Sequence, residues 1–139
     1  MMRSKPALLA VLALLSACNT TPLPAHDSAQ AWVDLSMLGG KAILAEKVDG
    51  KRLDDGRYFQ LKPGSHTLEF RYDYEVNIPL TIMSQPSERM CYITVQYDGF
   101  KAAERYRIQA RSLGIEPSAL LYDSANQVVA QDKSNYCLW

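Results

Sequence analysis

The sequence predicts an all-β protein, an antiparallel β-sandwich spanning residues 31–139. Three observations lead there. Apolar and polar side chains alternate from Ser65 to Ile78, from Met90 to Tyr97 and from Glu104 to Ser112. That is the period-two pattern of strands with one buried and one wet face. Pairs of turn-forming residues separate the apolar runs: Gly39-Gly40, Asp49-Gly50, Asp55-Gly56, Pro63-Gly64 and Asp98-Gly99. Short strands separated by such turn signals suggest a sandwich or barrel.

Each element has its own local pattern. Short apolar runs place strands at Trp32–Met37, Ala42–Val48, Tyr58–Leu61, Ala119–Tyr122 and Gln127–Ala130. In the longest alternating run, His66, Leu68, Phe70, Tyr72, Tyr74, Val76 and Ile78 share the parity expected to face inward. Pro79 has no amide hydrogen, so the chain beyond it is expected as an edge or a turn. Cys91, Ile93, Val95 and Tyr97 are the inward set of the next strand. Tyr106, Ile108 and Ala110 are the inward set of the one after, with Arg105, Arg107, Gln109 and Arg111 outward. Phe100 to Glu104 is expected as a helical turn, and Asp123 to Asn126 as a tight connection.

Ahead of this domain, Arg3 and Lys5 precede an uncharged run from Pro6 to Leu15. Small residues Ser16 and Ala17 then lead to Cys18. A charged start, a short apolar core and a small-residue exit make an export signal. The run falls short of the roughly 20 apolar residues that a helix needs to span a bilayer. Leu15-Ser16-Ala17-Cys18 resembles the lipobox of bacterial lipoproteins. The resemblance implies a diacylglycerol on the Cys18 thiol, cleavage just before it, and a fatty acyl chain such as palmitate on the new amine. Two or three chains hold a protein stably to a membrane where one does not. Asn19, where aspartate marks inner-membrane retention, implies the outer membrane and its periplasmic face. Inner-membrane anchoring and surface exposure are the other options. Residues 1–17 are then a signal peptide, 18–30 a lipidated tether with Pro22 and Pro24, and 31–139 one domain.

Charge and cysteines narrow the function classes. Arg3 and Lys5 leave with the signal, so 15 basic residues become 13 against 15 acidic ones, a formal charge of −2. With no basic run downstream, nucleic acid is not an expected partner. In an oxidising compartment Cys91 and Cys137 are expected as a disulfide, with two buried free thiols as the competing reading. His26, His66, Cys91 and Cys137 show no close ligand spacing, so neither metal nor cofactor is expected.

Two further resemblances bear on the fold. Val48-Asp49-Gly50, with Leu61-Lys62-Pro63-Gly64-Ser65-His66-Thr67-Leu68 downstream, resembles the PEGA-type repeat of bacterial surface proteins. That implies a PEGA/transthyretin-like or Ig-like sandwich. Cys91-Tyr92-Ile93, Tyr97-Asp98 and Arg105-Tyr106-Arg107-Ile108 look like segments of small proteobacterial envelope lipoproteins with no assigned activity. This implies a location and a fold, without a reaction.

Candidate chemistry is sparse. His66 has a packing role at a strand start, and His26 is expected to be solvated in the tether. Asp54-Asp55 reads better as a turn before Gly56 than as an acid–base pair, and no serine has a recognisable catalytic partner. No catalytic residue is therefore expected. Arg105, Arg107 and Arg111 form one outward stripe that would meet an anionic glycan or phospholipid headgroups. The alternative is a solvated face balanced by Glu69, Asp73 and Glu75 across strands. The expected function is a lipid-anchored, non-enzymatic binding or structural module of the envelope, with another envelope protein or a cell-wall glycan as partner. A small-ligand or lipid-binding lipoprotein is the alternative. It needs an internal cavity lined by the inner faces of Ser65–Ile78 and Met90–Tyr97.

Overall fold

The computed structural model describes residues 20–77 and 85–138. Cys18, Ile78 and Pro79, and what was expected of them, lie outside the described residues. Among the described residues, nine strands succeed one another in chain order: β1 (Ala31–Leu38), β2 (Ala42–Val48), β3 (Lys51–Arg52), β4 (Tyr58–Leu61), β5 (Gly64–Val76), β6 (Ser87–Phe100), β7 (Arg105–Leu113), β8 (Glu116–Tyr122) and β9 (Val128–Leu138). The protein is all-β. The strands bond in the order β3-β2-β5-β6-β9-β8-β7-β1-β4. This single sheet curls until its two halves share one core. At the far seam, the Ala45 amide donates to the Gly56 carbonyl at 2.8 Å, bringing the two ends of the strand order together.

Alternation sets the core. Leu68, Phe70, Tyr72, Tyr74 and Val76 of β5, Cys91, Ile93 and Val95 of β6, and Tyr106, Ile108 and Ala110 of β7 are all buried. They pack in one cluster with Val33, Phe59, Leu61 and Leu121 from the other elements. Each fully buried Leu, Val or Phe contributes about 1.5–3 kcal/mol over its exposed state. His66 and Tyr97, on the inward parity, are only partly covered. They oppose each other at the end of the β5–β6 ladder.

One pairing departs from the antiparallel expectation: β1 and β7 run parallel, from Trp32 opposite Arg105 to Leu38 opposite Arg111. Parallel neighbours need a long crossover, and the chain from β2 to β6 supplies it, building the opposite half of the sheet with β2, β3, β5 and β6 and adding β4 to the free side of β1.

The turns divide similarly. Asp49 (φ 50°) and Gly50 (φ 80°) close β2 on β3 with both central residues at positive φ, the hairpin geometry that suits the twist of strands. Asp123 Oδ1 accepts from the Ala125 and Gln127 amides, both at 2.9 Å, and shapes the β8–β9 connection. Asp98-Gly99, expected as a turn, instead continues β6. A Cβ at Gly99 would stand 2.9 Å from Tyr97 Oη, so the glycine serves close approach of a ring to the strand. Lys101 to Glu104 is a tight turn without a helix: Ala103 sits at φ 64°, and the Lys101 amide donates to Tyr106 Oη at 3.0 Å.

Residues 20–30 also differ from a free tether. The Thr21 carbonyl accepts from Arg57 Nη1 at 2.6 Å, the Asp27 amide donates to Gln60 Oε1 at 2.9 Å, and the Gln30 carbonyl accepts from the Ala103 amide at 3.0 Å. His26 is half-buried, its ring 5.9 Å from that of Trp32, where solvation was expected. Bonds to β4 and to the turn before it hold this stretch along the domain.

β9 extends well past its expected four residues. Its first part pairs with β8, from Tyr122 opposite Val128 to Leu120 opposite Gln131. Its second part pairs with β6, from Val95 opposite Asp132 to Met90 opposite Leu138. Within that second part, Cys91 and Cys137 face each other and are joined as a disulfide, with Cα atoms 4.0 Å apart. The bond closes a sequence separation of 46 residues. By the loop-entropy model such a closure is worth about 4 kcal/mol. Urea melts of oxidised and reduced protein should differ by that order. Coincident midpoints would contradict the assignment.

Candidate functional site

Strands β2, β5, β6 and β9 lie side by side, and alternate residues turn away from the core. The registers place Leu44, Arg71, Tyr92 and Tyr136 in one row across these four strands. The neighbouring row holds Ala42, Asp73, Met90 and Leu138. Tyr92 and Tyr136 stack with ring centroids 5.1 Å apart and planes 19° apart. Arg71 Nε donates to both carboxylate oxygens of Asp73, at 2.8 and 3.1 Å. That carboxylate holds the Arg71 guanidinium above its ordinary pKa, so the pair is fixed as an ion pair. A cleft of about 330 Å³ opens beside it, lined by Arg71, Asp73, Glu88, Arg89, Met90 and Leu138. Leu44, Tyr136 and Leu138 are exposed. Tyrosine, methionine and arginine, side chains enriched in protein interfaces, share one face here. The arrangement suits binding: an apolar platform with a fixed polar pair at its centre.

The sequence reading missed this face, although one signal for it was present. If Cys91 opposes Cys137 in antiparallel strands, Tyr92 must oppose Tyr136 and Met90 must oppose Leu138. The disulfide alone fixes that register.

The arginine stripe lies on the other half of the sheet, and its members have different fates. Arg105 donates to Asp34 through Nε at 2.7 Å and Nη2 at 2.9 Å, and its guanidinium carbon lies 5.3 Å from the Trp32 ring centre. Trp32 stacks on Tyr58 at 4.2 Å and donates its indole N–H to Asp34 at 2.9 Å. Arg107 lies 4.3 Å over the Tyr122 ring. Arg111 stands between Leu38 of β1 and Ser118 of β8 in register. The expected balance with Glu69, Asp73 and Glu75 does not form, because β5 and β7 belong to opposite halves of the sheet. Those acids pair instead with Lys47, Arg71 and Lys41.

His66 and Asp55 take part in structural bonds. The His66 ring bridges Asp49 Oδ2 through Nδ1 and the Lys62 carbonyl through Nε2, each at 2.6 Å. Asp49 Oδ1 also accepts from the Thr67 amide at 2.8 Å. The β2–β3 turn is thus tied to the start of β5. Asp55 accepts from the backbone amide and the guanidinium of its neighbour Arg57. Among the described residues, no three His, Cys, Asp or Glu side chains gather where a metal ion could be held.

Scans against protein-family models, curated proteins and solved structures return no match for this chain.

The carboxylates give a pH dependence. The bond from Arg105 is the main cause that holds Asp34 below the usual carboxylate range, the Thr67 amide does this for Asp49, and Arg57 for Asp55. A lowered folded-state pKa means that the unfolded chain binds more protons in the window between the two values. Their contribution is therefore complete above the unfolded value, about 4, and is lost as pH falls through the folded values. Urea midpoints should fall as the pH drops below about 4. Asp49→Asn should weaken that fall. An unchanged profile would contradict the assignment.

Proposed function

We propose that this chain is a lipid-anchored envelope protein acting as a non-enzymatic binding module. A diacylglycerol on Cys18 would hold it at the periplasmic face of the outer membrane. The observation that carries the binding half of the reading is the outward row Leu44–Arg71–Tyr92–Tyr136, with Met90 and Leu138 beside it. It supports docking of another envelope component, a protein or a glycan. The export-type start of the sequence and a disulfide that persists under oxidising conditions support the location. The joining of Val48-Asp49-Gly50 to Leu61–Leu68 through Asp49, His66 and Thr67 supports a PEGA-like module.

The lipid- or ligand-binding alternative has less support. It requires space between the inner faces of β5 and β6 and the opposite half of the sheet. Leu68, Phe70, Tyr72, Ile93 and Val95 of those faces have no exposed surface and pack into the common cluster. The stripe of Arg105, Arg107 and Arg111 also carries less weight as an anionic site, since Arg105 is already engaged by Asp34.

Cys18→Ser should move the protein from the membrane pellet to the soluble fraction. Sedimentation that persists in the variant would contradict the anchor. For the binding face, Tyr92→Ala combined with Leu44→Ala should lose in-cell crosslinks to envelope components. Stability should change little, because cross-strand side-chain pairs contribute about 0.2–1 kcal/mol each. Crosslinks that survive both substitutions would place binding elsewhere.

A further inference from the structure

Beyond the envelope reading, and at the open end of the same outward row, the geometry points to self-association through β9. We propose that the Lys133–Leu138 half of β9 is a strand-addition edge that pairs antiparallel with the same segment of a second copy of this chain.

The argument starts from the backbone. β8 covers β9 only as far as Gln131, and a side-chain bond from Asp132 Oδ1 to the Ala119 amide marks the end of that contact. From Lys133 onward, one side of β9 is bonded to β6, and among the described residues no strand occupies the other. The direction of the unpaired groups is set by the Cys91–Cys137 pair. Its Cα separation of 4.0 Å is that of a close, non-hydrogen-bonded antiparallel pair. The N–H and C=O of Cys137, and of Asn135 two residues earlier, therefore point away from β6. Ser134, Tyr136 and Leu138 direct theirs into the β6 ladder.

Sheet edges left in this state recruit strands, and proteins ordinarily blunt them with short length, Lys, Pro or a covering segment. The other two edges obey that rule. β3 is two residues long, Lys51-Arg52. β4 has four residues, runs into Lys62-Pro63, and its Gln60 is engaged by the Asp27 amide. The β9 edge has six residues, no proline and a single charge at its start, Lys133. It is also held to β6 by the disulfide, so little ordering entropy remains to oppose pairing.

Self-complementarity selects the second copy as occupant. A two-fold axis through Tyr136 sets Asn135 opposite Cys137 of the second copy and Cys137 opposite its Asn135, so both outward N–H and C=O pairs are satisfied. Tyr136 then meets its own counterpart, and Leu138 meets Ser134. Tyr136 and Leu138 are 53% and 52% exposed at this edge. The pairing covers both, and continues the Tyr92–Tyr136 stack into the second molecule. The two Lys133 side chains lie at opposite ends of the ladder, about 20 Å apart at ~3.4 Å per residue, so no like charges meet.

Two measurements on the full-length protein test this. Sedimentation mass at tens of micromolar, in detergent if the protein is membrane-bound, should be that of a dimer. Asn135→Pro removes one outward donor while leaving the β6 ladder intact, and should halve the mass. A monomeric wild type would overturn the proposal and leave the edge to a different partner. So would a dimer unaffected by Asn135→Pro. Separately, Tyr136→Cys should form a disulfide-linked dimer under added oxidant in cell lysate, and Leu138→Cys should not, because its counterpart is Ser134. Equal crosslinking of both, or none in Tyr136→Cys, would overturn the register. The added oxidant makes the result independent of where the protein resides.

Discussion

The pairing of β6 with β9, stapled by Cys91 and Cys137, is the constraint on which the rest depends. β9 is the strand that belongs to both halves of the sheet, bonding β8 with its first residues and β6 with its last. The segment Gln131 to Tyr136 carries few apolar side chains and is mostly exposed, so burial does little to hold it. A covalent link at Cys137, with Cys91 fully buried in the core, substitutes for missing hydrophobic contact. It fixes one register, and a one-residue slip would reverse every side chain of the strand.

The same weakness explains what could be read in the sequence and what could not. β5, β6 and β7 each have one face on the core and one in water, and among the described residues their alternation matches the buried sets, apart from the half-covered His66 and Tyr97. β2 and β4 were bounded by their turn residues. The second half of β9 has no such contrast between its faces, so only the cysteine hinted at a strand there. The parallel β1–β7 pairing was also invisible, because hydrophobic parity says which face is buried and nothing about which strand lies alongside. That pairing decided the partner of Arg105: Asp34 of β1, instead of the acids of β5. Asp98-Gly99 misled because turn chemistry and close approach of an aromatic ring call for the same residue.

Interior and surface have separate roles in this fold. The inner faces supply aromatic and branched side chains that fill one cluster. Specific interactions are therefore left to the outside, where two aromatic groupings differ in character. Trp32 is covered by Tyr58, Arg105 and His26, so that grouping holds the N-terminal segment to the domain. The Tyr92–Tyr136 grouping ends exposed at an open edge, so it remains available. Of the sequence-predicted site residues, the cysteines led to that face through their register, whereas the arginines led to a structural cluster.

Hydrogen exchange of the oxidised and reduced protein tests most directly whether the disulfide holds the second half of β9 in register. With the bond intact, the Ser134, Tyr136 and Leu138 amides should be protected through the β6 ladder. After reduction they should exchange much faster, while the amides of β2 and β5 keep their protection. Equal protection of Lys133–Leu138 in both states would show that the strand stays in place without the staple, and would contradict the account.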